Sequence, residues 1–150
     1  MARSIELIAR AVVAADGRLL LVRKKGESYT FLPGGHVDFG EPAETALARE
    51  LQEELGTAAS VGRFLGAVEN CFTNAGGQWH ELNLVFAANL PDVTGTAAVA
   101  SREPHLEFLW QPAGQLADQN LQPSVLWWLV PHWLDGGSTS GWVSTMKYLG

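Results

Sequence analysis

Short runs of alternating hydrophobic and polar residues predict most of the β-structure. The segment "IELIARAVVAADGRLLLVRKK" indicates two strands joined by a tight turn at Ala15-Asp16-Gly17, because glycine accepts the backbone angles of such a turn. The segments "VGRFLGAVENCF" and "WHELNLVFAANL" indicate two more strands, separated by the turn-rich "TNAGGQ". A last strand is predicted in "HLEFLWQP", after a small, polar segment that is typical of a surface loop.

Two segments have helical patterns. The first runs from about Pro42 to Leu55, with Pro42 suited to the first helical position and Gly56 to the residue just past the end. Its Leu47, Leu51 and Leu55 form a stripe that is expected to pack on the sheet. The second is "PSVLWWLVPHWL". This order of elements predicts one domain over residues 1–150, of the α/β (α+β) class, with a mixed β-sheet and at least two helices.

Composition and charge narrow the possible partners. Hydrophobic residues make up 47% of the chain, as in a globular protein, and the formal net charge of -6 argues against long nucleic acid or an anionic membrane as partner. The single cysteine, Cys71, cannot form an internal disulfide and is expected to be a small buried hydrophobe. Glu6 and Arg10 interrupt the apolar start, so no signal peptide is predicted. We expect a soluble, cytoplasmic protein.

Negative charge is concentrated in "GGHVDFGEPAETALARELQEELG". On a helix, Glu50, Glu53 and Glu54 have i, i+3 and i+4 spacing and project from one side, with only Arg49 near enough in sequence to offset their repulsion. A solvated acidic face is one interpretation. A metal site is the other, because converging carboxylates are the oxygen ligands that Mg²⁺ or Mn²⁺ prefers.

The residues in front of the helix favour the metal site. From Gly35 the chain has five residues, Glu41, seven residues, Arg49-Glu50-Leu51, one residue, Glu53-Glu54, one residue and Gly56. This pattern resembles the signature of the Nudix hydrolases, except that Thr57 stands where the family usually has an aliphatic residue. The resemblance implies a mixed β-sheet sandwiched between helices, with a loop-helix-loop catalytic motif.

The resemblance also implies an activity. It implies a metal-dependent hydrolase that cleaves a pyrophosphate linkage in a nucleoside tri- or diphosphate or a nucleoside diphosphate derivative, with Mg²⁺ as cofactor and Mn²⁺ as a substitute. Glu53 and Glu54 are implied as metal ligands and the Gly34 carbonyl as another. Glu50 is either a further ligand or the general base. Glu41 and Arg49 are implied as a brace between loop and helix.

Residues outside the signature are weaker candidates. Glu107 in "HLEFLW" is a candidate for a further metal ligand, against the alternative of an exposed glutamate at a strand end, and Glu81 is a weaker one. Arg23 and His36 are candidates for binding the substrate.

The substrate is narrowed mainly by absent markers. The region "LGAVENCFTN" has neither the proline of many ADP-ribose hydrolases nor the tyrosine of many dinucleoside polyphosphate hydrolases, which favours a nucleoside tri- or diphosphate. Aromatic residues are available for a base pocket, although a structural role is favoured for each alone: Phe72, Trp79, Trp110, Trp127 and Trp128. A homodimer through the apolar C-terminal helix is a further expectation. The alternative function is a non-catalytic module that binds or senses a nucleotide derivative, while the acidic charge argues against RNA-end processing.

Overall fold

The computed structural model describes residues 3–91, 93–137 and 141–146. The two α-helices are α1 (Ala43–Leu55) and α2 (Leu126–Leu134), and a 3-10 helix spans Leu116–Gln119. The strands are β1 (Glu6–Val12), β2 (Ala14–Ala15), β3 (Arg18–Lys24), β4 (Gly34–His36), β5 (Ser60–Asn74), β6 (Gly77–Asn89), β7 (Leu106–Pro112) and β8 (Trp142–Ser144).

These strands form two sheets. The larger is mixed and five-stranded, in the order β4-β1-β6-β5-β8, with β1 parallel to β6. The smaller has the order β2-β3-β7 and is antiparallel. The mixed sheet is confirmed, but its separation from a second sheet was not foreseen, because strand patterns do not say which strands pair.

The sheets lie between the two helices. On one side, Leu47 and Leu51 of α1 pack in a buried cluster with Ala9 and Ala11 of β1. On the other side, α2 packs in a second cluster that includes Val12, Val68 and Val85. Each fully buried aliphatic side chain contributes about 1.5–3 kcal/mol, so these clusters hold the helices to the sheet. The predicted fold class is therefore confirmed.

The predicted turns and helix ends are close to those observed. Asp16 and Gly17 both have positive φ, 52° and 73°, as the tight turn between β2 and β3 requires. Pro42 has an extended backbone and precedes α1, so the helix begins at Ala43, one residue later than expected. Gly56 is left-handed, with φ 69°, and its N–H donates to the Gln52 carbonyl at 2.8 Å. In the described residues, no helix is long and apolar enough to cross a membrane.

Candidate functional site

Gly34 is the first residue of the acidic segment, and it pairs with Arg10 where β4 lies beside β1. Gly34 has φ 144°, and a Cβ added there would collide with the carbonyl oxygen of Ala9. Glycine is required at position 34, because β4 could not approach β1 this closely with a larger residue.

Gly35 allows a second close approach, this time by helix α1. A Cβ on Gly35 would collide with the carboxylate of Glu50. The Glu50 carboxylate therefore lies directly against the backbone of β4, although Glu50 is fifteen positions further along the chain. The glycine pair brings together the strand and the acidic helix.

Arg49 lies at the centre of the acidic segment. Its Nε and Nη2 donate to the two carboxylate oxygens of Glu41 at 2.9 and 3.0 Å, and its Nη1 donates to Glu50 at 3.1 Å and Glu53 at 3.3 Å. Nη2 also donates to the backbone oxygen of His36 at 3.1 Å. The expected contact between Glu41 and Arg49 is present, and it joins the loop to the helix by a bidentate ion pair.

The carboxylates of this segment have different electrostatic environments. Hydrogen bonding to Arg49 and to the Asp38 backbone lowers the pKa of Glu41. Burial raises the pKa of Glu50, although Arg49 opposes this. The surroundings of Glu41 thus stabilise its ionised form, whereas burial makes ionisation of Glu50 less favourable.

Glu54 is the most unusual of them. It follows Leu47 and Leu51 on the buried face of α1 and is only 8% exposed. Its Oε2 is buried and has no hydrogen-bond partner. Burial, and next the charge of Glu50, raise its pKa to about 8, while Arg10 and the Gly34 backbone lower it in part. An isolated buried carboxylate needs either a proton or a cation.

This donor set fits a divalent cation. Mg²⁺ and Mn²⁺ take carboxylate and carbonyl oxygens, and the orphaned Glu54 Oε2 is an oxygen that a cation would satisfy. Among the described residues, no three His, Cys, Asp or Glu side chains already form a metal-binding group. Two of the three glutamates are instead bonded to Arg49, so a cation would have to compete with it.

The loop that precedes β7 adds a carboxylate, Glu103, that the sequence did not single out. Glu103 is near enough to Glu54 to raise its pKa, and the Arg102 N–H donates to the Glu54 carbonyl at 2.7 Å. Ser101 bonds to both the N–H and the carbonyl of Glu103. Glu103 lies in a segment without a strand or helix pattern, so only the tertiary fold could place it here.

Glu107 and Arg23, in contrast, bind each other. Arg23 Nε donates to Glu107 Oε1 at 2.7 Å across β3 and β7, and Nη1 donates to Gln119 at 3.4 Å. The proposed metal role of Glu107 and substrate role of Arg23 stay predictions, and either role would require this pair to separate.

His36 and Cys71 are both more exposed than core residues. His36 has a side chain that is 62% exposed, with Nε2 3.4 Å from Glu6 Oε1, so its substrate role also stays a prediction. Cys71 is exposed, and the expectation of a buried hydrophobe was wrong. Between Glu81 and the turn of the β5–β6 hairpin, neither β1 nor β8 pairs with the hairpin in the described ranges, so little covers Cys71.

Arg10 is a second residue that the sequence did not single out. It donates to Asn83 Oδ1 at 3.2 Å and to the Leu32 carbonyl at 3.0 Å, and it lies over the Phe31 ring. Burial lowers its pKa, and the charges of Glu81, Glu54 and Glu50 raise it. Arg10 is therefore a cation beside the carboxylate cluster. In the sequence it only interrupts an apolar run.

Comparison with known proteins gives a family-level match. Residues 6–128 match the family model described as NUDIX domain. The chain is 29% identical over 127 residues to the CTP pyrophosphohydrolase of Escherichia coli (strain K12), covering 81% of this chain and 86% of that protein. It is 40% identical over 63 residues to a MutT-like protein of Streptomyces ambofaciens, covering 42% of this chain but only 41% of that protein, less than half its length.

Solved structures share the fold. The crystal structure of the MutT protein from Methanosarcina mazei Go1 superposes with a TM-score of 0.68 at 22% identity, covering 91% of this chain and 98% of that one.

Proposed function

The chain belongs to the Nudix hydrolase family, and from this premise we propose that it is a metal-dependent pyrophosphohydrolase. Its substrate is a nucleoside tri- or diphosphate, or a nucleoside diphosphate derivative. The observation that carries the proposal is Glu54, a buried carboxylate whose Oε2 has no partner and whose pKa is about 8. A residue with only a structural role gains nothing from such a burial, whereas a cation ligand does.

The proposed metal ligands are Glu53, Glu54 and the carbonyl oxygen of Gly34, and Glu50 is either a further ligand or the general base. Mg²⁺ is the expected cation and Mn²⁺ its substitute, because the donors are all hard oxygen atoms. When bound, the cation neutralises the phosphate charge and lowers the pKa of a coordinated water. Glu103 joins the candidate ligands because it is near Glu54.

Arg49 would hold the loop and the helix together while a cation replaces it as the partner of Glu50 and Glu53. Its bidentate bond to Glu41 does not involve the ligand carboxylates, so it can persist when Glu50 and Glu53 turn to a cation. Glu41 is in turn held by the backbone N–H of Asp38 at 3.1 Å. The loop and the helix would thereby keep their register while the charge in the site changes.

The comparisons support the substrate class at a coarse level. The Escherichia coli relative is named a CTP pyrophosphohydrolase, and this chain covers most of its length. The net charge of -6 would repel an anionic nucleotide unless a cation offset the charge of its phosphates. The proposed ligands would hold such a cation. The cytoplasmic location and the homodimer stay predictions.

A substrate panel with a matched pair of variants tests the proposal. Nucleoside triphosphates, nucleoside diphosphate sugars, dinucleotides and ADP-ribose are incubated with Mg²⁺ or Mn²⁺ and wild type, Glu53→Gln or Glu44→Gln. Glu44 is an exposed glutamate on the same helix and serves as the control. We expect Glu53→Gln to lose on the order of 10²–10³-fold in kcat with its fold intact, and Glu44→Gln to resemble wild type. Tight binding of one compound without any hydrolysis would instead support the binding or sensing module.

A further inference from the structure

One face of the β5–β6 hairpin changes from apolar to polar to aromatic along its length. Residues directly opposite on these strands are Val68 with Asn83, Asn70 with Glu81, and Phe72 with Trp79. Side chains two positions apart on a strand point to the same face, so all six share one face. On β6 the exposed fraction rises from 1% at Val85 to 4% at Asn83, 8% at Glu81 and 36% at Trp79.

We name the two outer parts of this face. Asn70, Glu81 and Asn83 are the polar floor, and Phe72 and Trp79 are the aromatic rim. The floor lies beside the buried cluster that contains Val68 and Val85, and the rim lies at the exposed end. A polar floor with an aromatic rim has the composition of a small-molecule site, in which a few polar groups select an otherwise apolar ligand.

The Glu81 carboxylate is engaged by few protein groups. Asn83 Nδ2 donates to its Oε1 at 3.1 Å, and within the described residues this is its only hydrogen bond. The same part of the chain places no Lys, Arg or His nitrogen within 4.0 Å of it. A carboxylate accepts about four hydrogen bonds. Unlike Glu54 Oε2, the second Glu81 oxygen is not a buried atom, so Glu81 retains acceptor positions that solvent or a ligand can reach.

Arg10 connects the floor with the proposed pyrophosphate site. It donates to Asn83 Oδ1, and Asn83 Nδ2 donates to Glu81 and to the Val68 carbonyl. The guanidinium is also within electrostatic range of Glu54 and Glu50. Through Arg10, the unused acceptors of Glu81 lie next to the site that would hold the phosphates.

The rim offers a flat aromatic surface. The rings of Phe72 and Trp79 stack at a centroid distance of 6.4 Å and an angle of 20°. Trp79 Nε1 donates to Asn74 Oδ1 at 2.9 Å, which holds the indole in one orientation. Aromatic side chains held in this way are suited to stacking on a nucleobase.

We propose that Glu81 selects a base that has a ring N–H next to an exocyclic amino group, as in guanine, while Asn83 and Arg10 position Glu81 and the rim stacks on the base. Such an edge places two parallel N–H donors opposite one carboxylate. Hypoxanthine and uracil lack the amino group, and adenine and cytosine present a ring-nitrogen acceptor that repels the carboxylate. This inference rests on the proposed function and names the base that the same site prefers.

The test compares GTP with ITP, which differ only in the 2-amino group. We expect kcat/KM for GTP to exceed that for ITP by about 10–100-fold in wild type, because one hydrogen bond to a charged group is lost. In Glu81→Gln the ratio falls to within about threefold of one, since the glutamine N–H₂ opposes the donors of the base. Glu69→Gln is the control, because Glu69 lies on the other face of the same hairpin and is bonded to Ser144.

A binding measurement keeps the test independent of folding and of catalysis. The Kd of wild type for GMP and for IMP, measured by calorimetry, should show the same 10–100-fold preference. Equal affinity for GMP and IMP, or a GTP to ITP ratio that Glu81→Gln leaves unchanged, would overturn the inference. Hydrolysis of no nucleotide at all would overturn the proposed function alone, while the GMP and IMP affinities would still decide on Glu81.

Discussion

The Glu50 carboxylate lies so close to Gly35 that one methyl group on Gly35 would collide with it. This contact joins strand β4 to helix α1 at the point where the proposed metal ligands converge. A short side chain would therefore disturb the site without altering any ligand.

Gly35→Ala tests this contact. We expect the variant to displace Glu50 and to lose about tenfold or more in kcat/KM, with destabilisation of roughly 1–3 kcal/mol from overpacking. Steady-state kinetics and denaturant unfolding measure the two effects. Gly114→Ala is the control, because a Cβ there meets no atom within 4 Å. Wild-type kinetics in Gly35→Ala would mean that Glu50 is free to move without consequence.

Arg49→Lys tests the brace. Lysine keeps the charge but cannot donate from two nitrogens to both Glu41 oxygens, so the loop and the helix lose their register. We expect kcat/KM to fall by about tenfold or more and Tm to decrease. Arg18→Lys, at an exposed position on β3, should change neither. A variant that keeps full activity would show that charge alone suffices at position 49.

Glu54 predicts an unusual dependence of stability on pH without metal. Its pKa is about 8 in the folded protein and about 4.3 in an unfolded chain, so the folded state binds the proton more tightly. Its contribution to stability is present below about pH 4.3 and is lost as the pH rises to about 8. Since one pKa unit corresponds to about 1.4 kcal/mol, we expect a loss of roughly 5 kcal/mol over the whole range.

Denaturant unfolding in EDTA, from pH 5 to pH 9, measures this loss. Glu54→Gln cannot ionise, so it should lack this part of the slope and be more stable than wild type at pH 9 while losing activity. Added Mg²⁺ should stabilise wild type at pH 8 and leave Glu54→Gln nearly unchanged. Parallel pH profiles for the two proteins would contradict the raised pKa.

Paired variants can distinguish the roles of Glu103 and Glu107 in catalysis. Glu103 is near Glu54, whereas Glu107 is bonded to Arg23. We expect Glu103→Gln to lower kcat/KM by about tenfold more than Glu107→Gln does, because only Glu103 is next to a proposed ligand. Kinetics over a range of Mg²⁺ concentrations measures both variants. A larger effect of Glu107→Gln would restore the assignment that the sequence alone suggested.

The sequence by itself determined both α-helices and most of the strands, although it did not predict β4 or β8. The strands, the Asp16-Gly17 turn and the end of α1 at Gly56 depend on residues that are neighbours along the chain. The contact of Arg49 with Glu53 follows from the i, i+4 spacing of a helix, so it could be expected as well, whereas the contact with the adjacent Glu50 does not follow from that spacing.

Only the tertiary structure decided how these parts meet. Whether Glu54 faces solvent or the sheet depends on how α1 packs, and helical spacing alone allowed both a solvated acidic face and a metal site. Cys71 was misjudged for a related reason, since its exposure depends on where the strands beside the hairpin end. Arg10, Asn83, Glu81 and Glu103 come together from distant parts of the chain through strand register and loop closure. The hydrophobic period and the spacing of residues along the chain describe only contacts between near neighbours. The site, in contrast, is formed by packing between residues that are far apart in sequence.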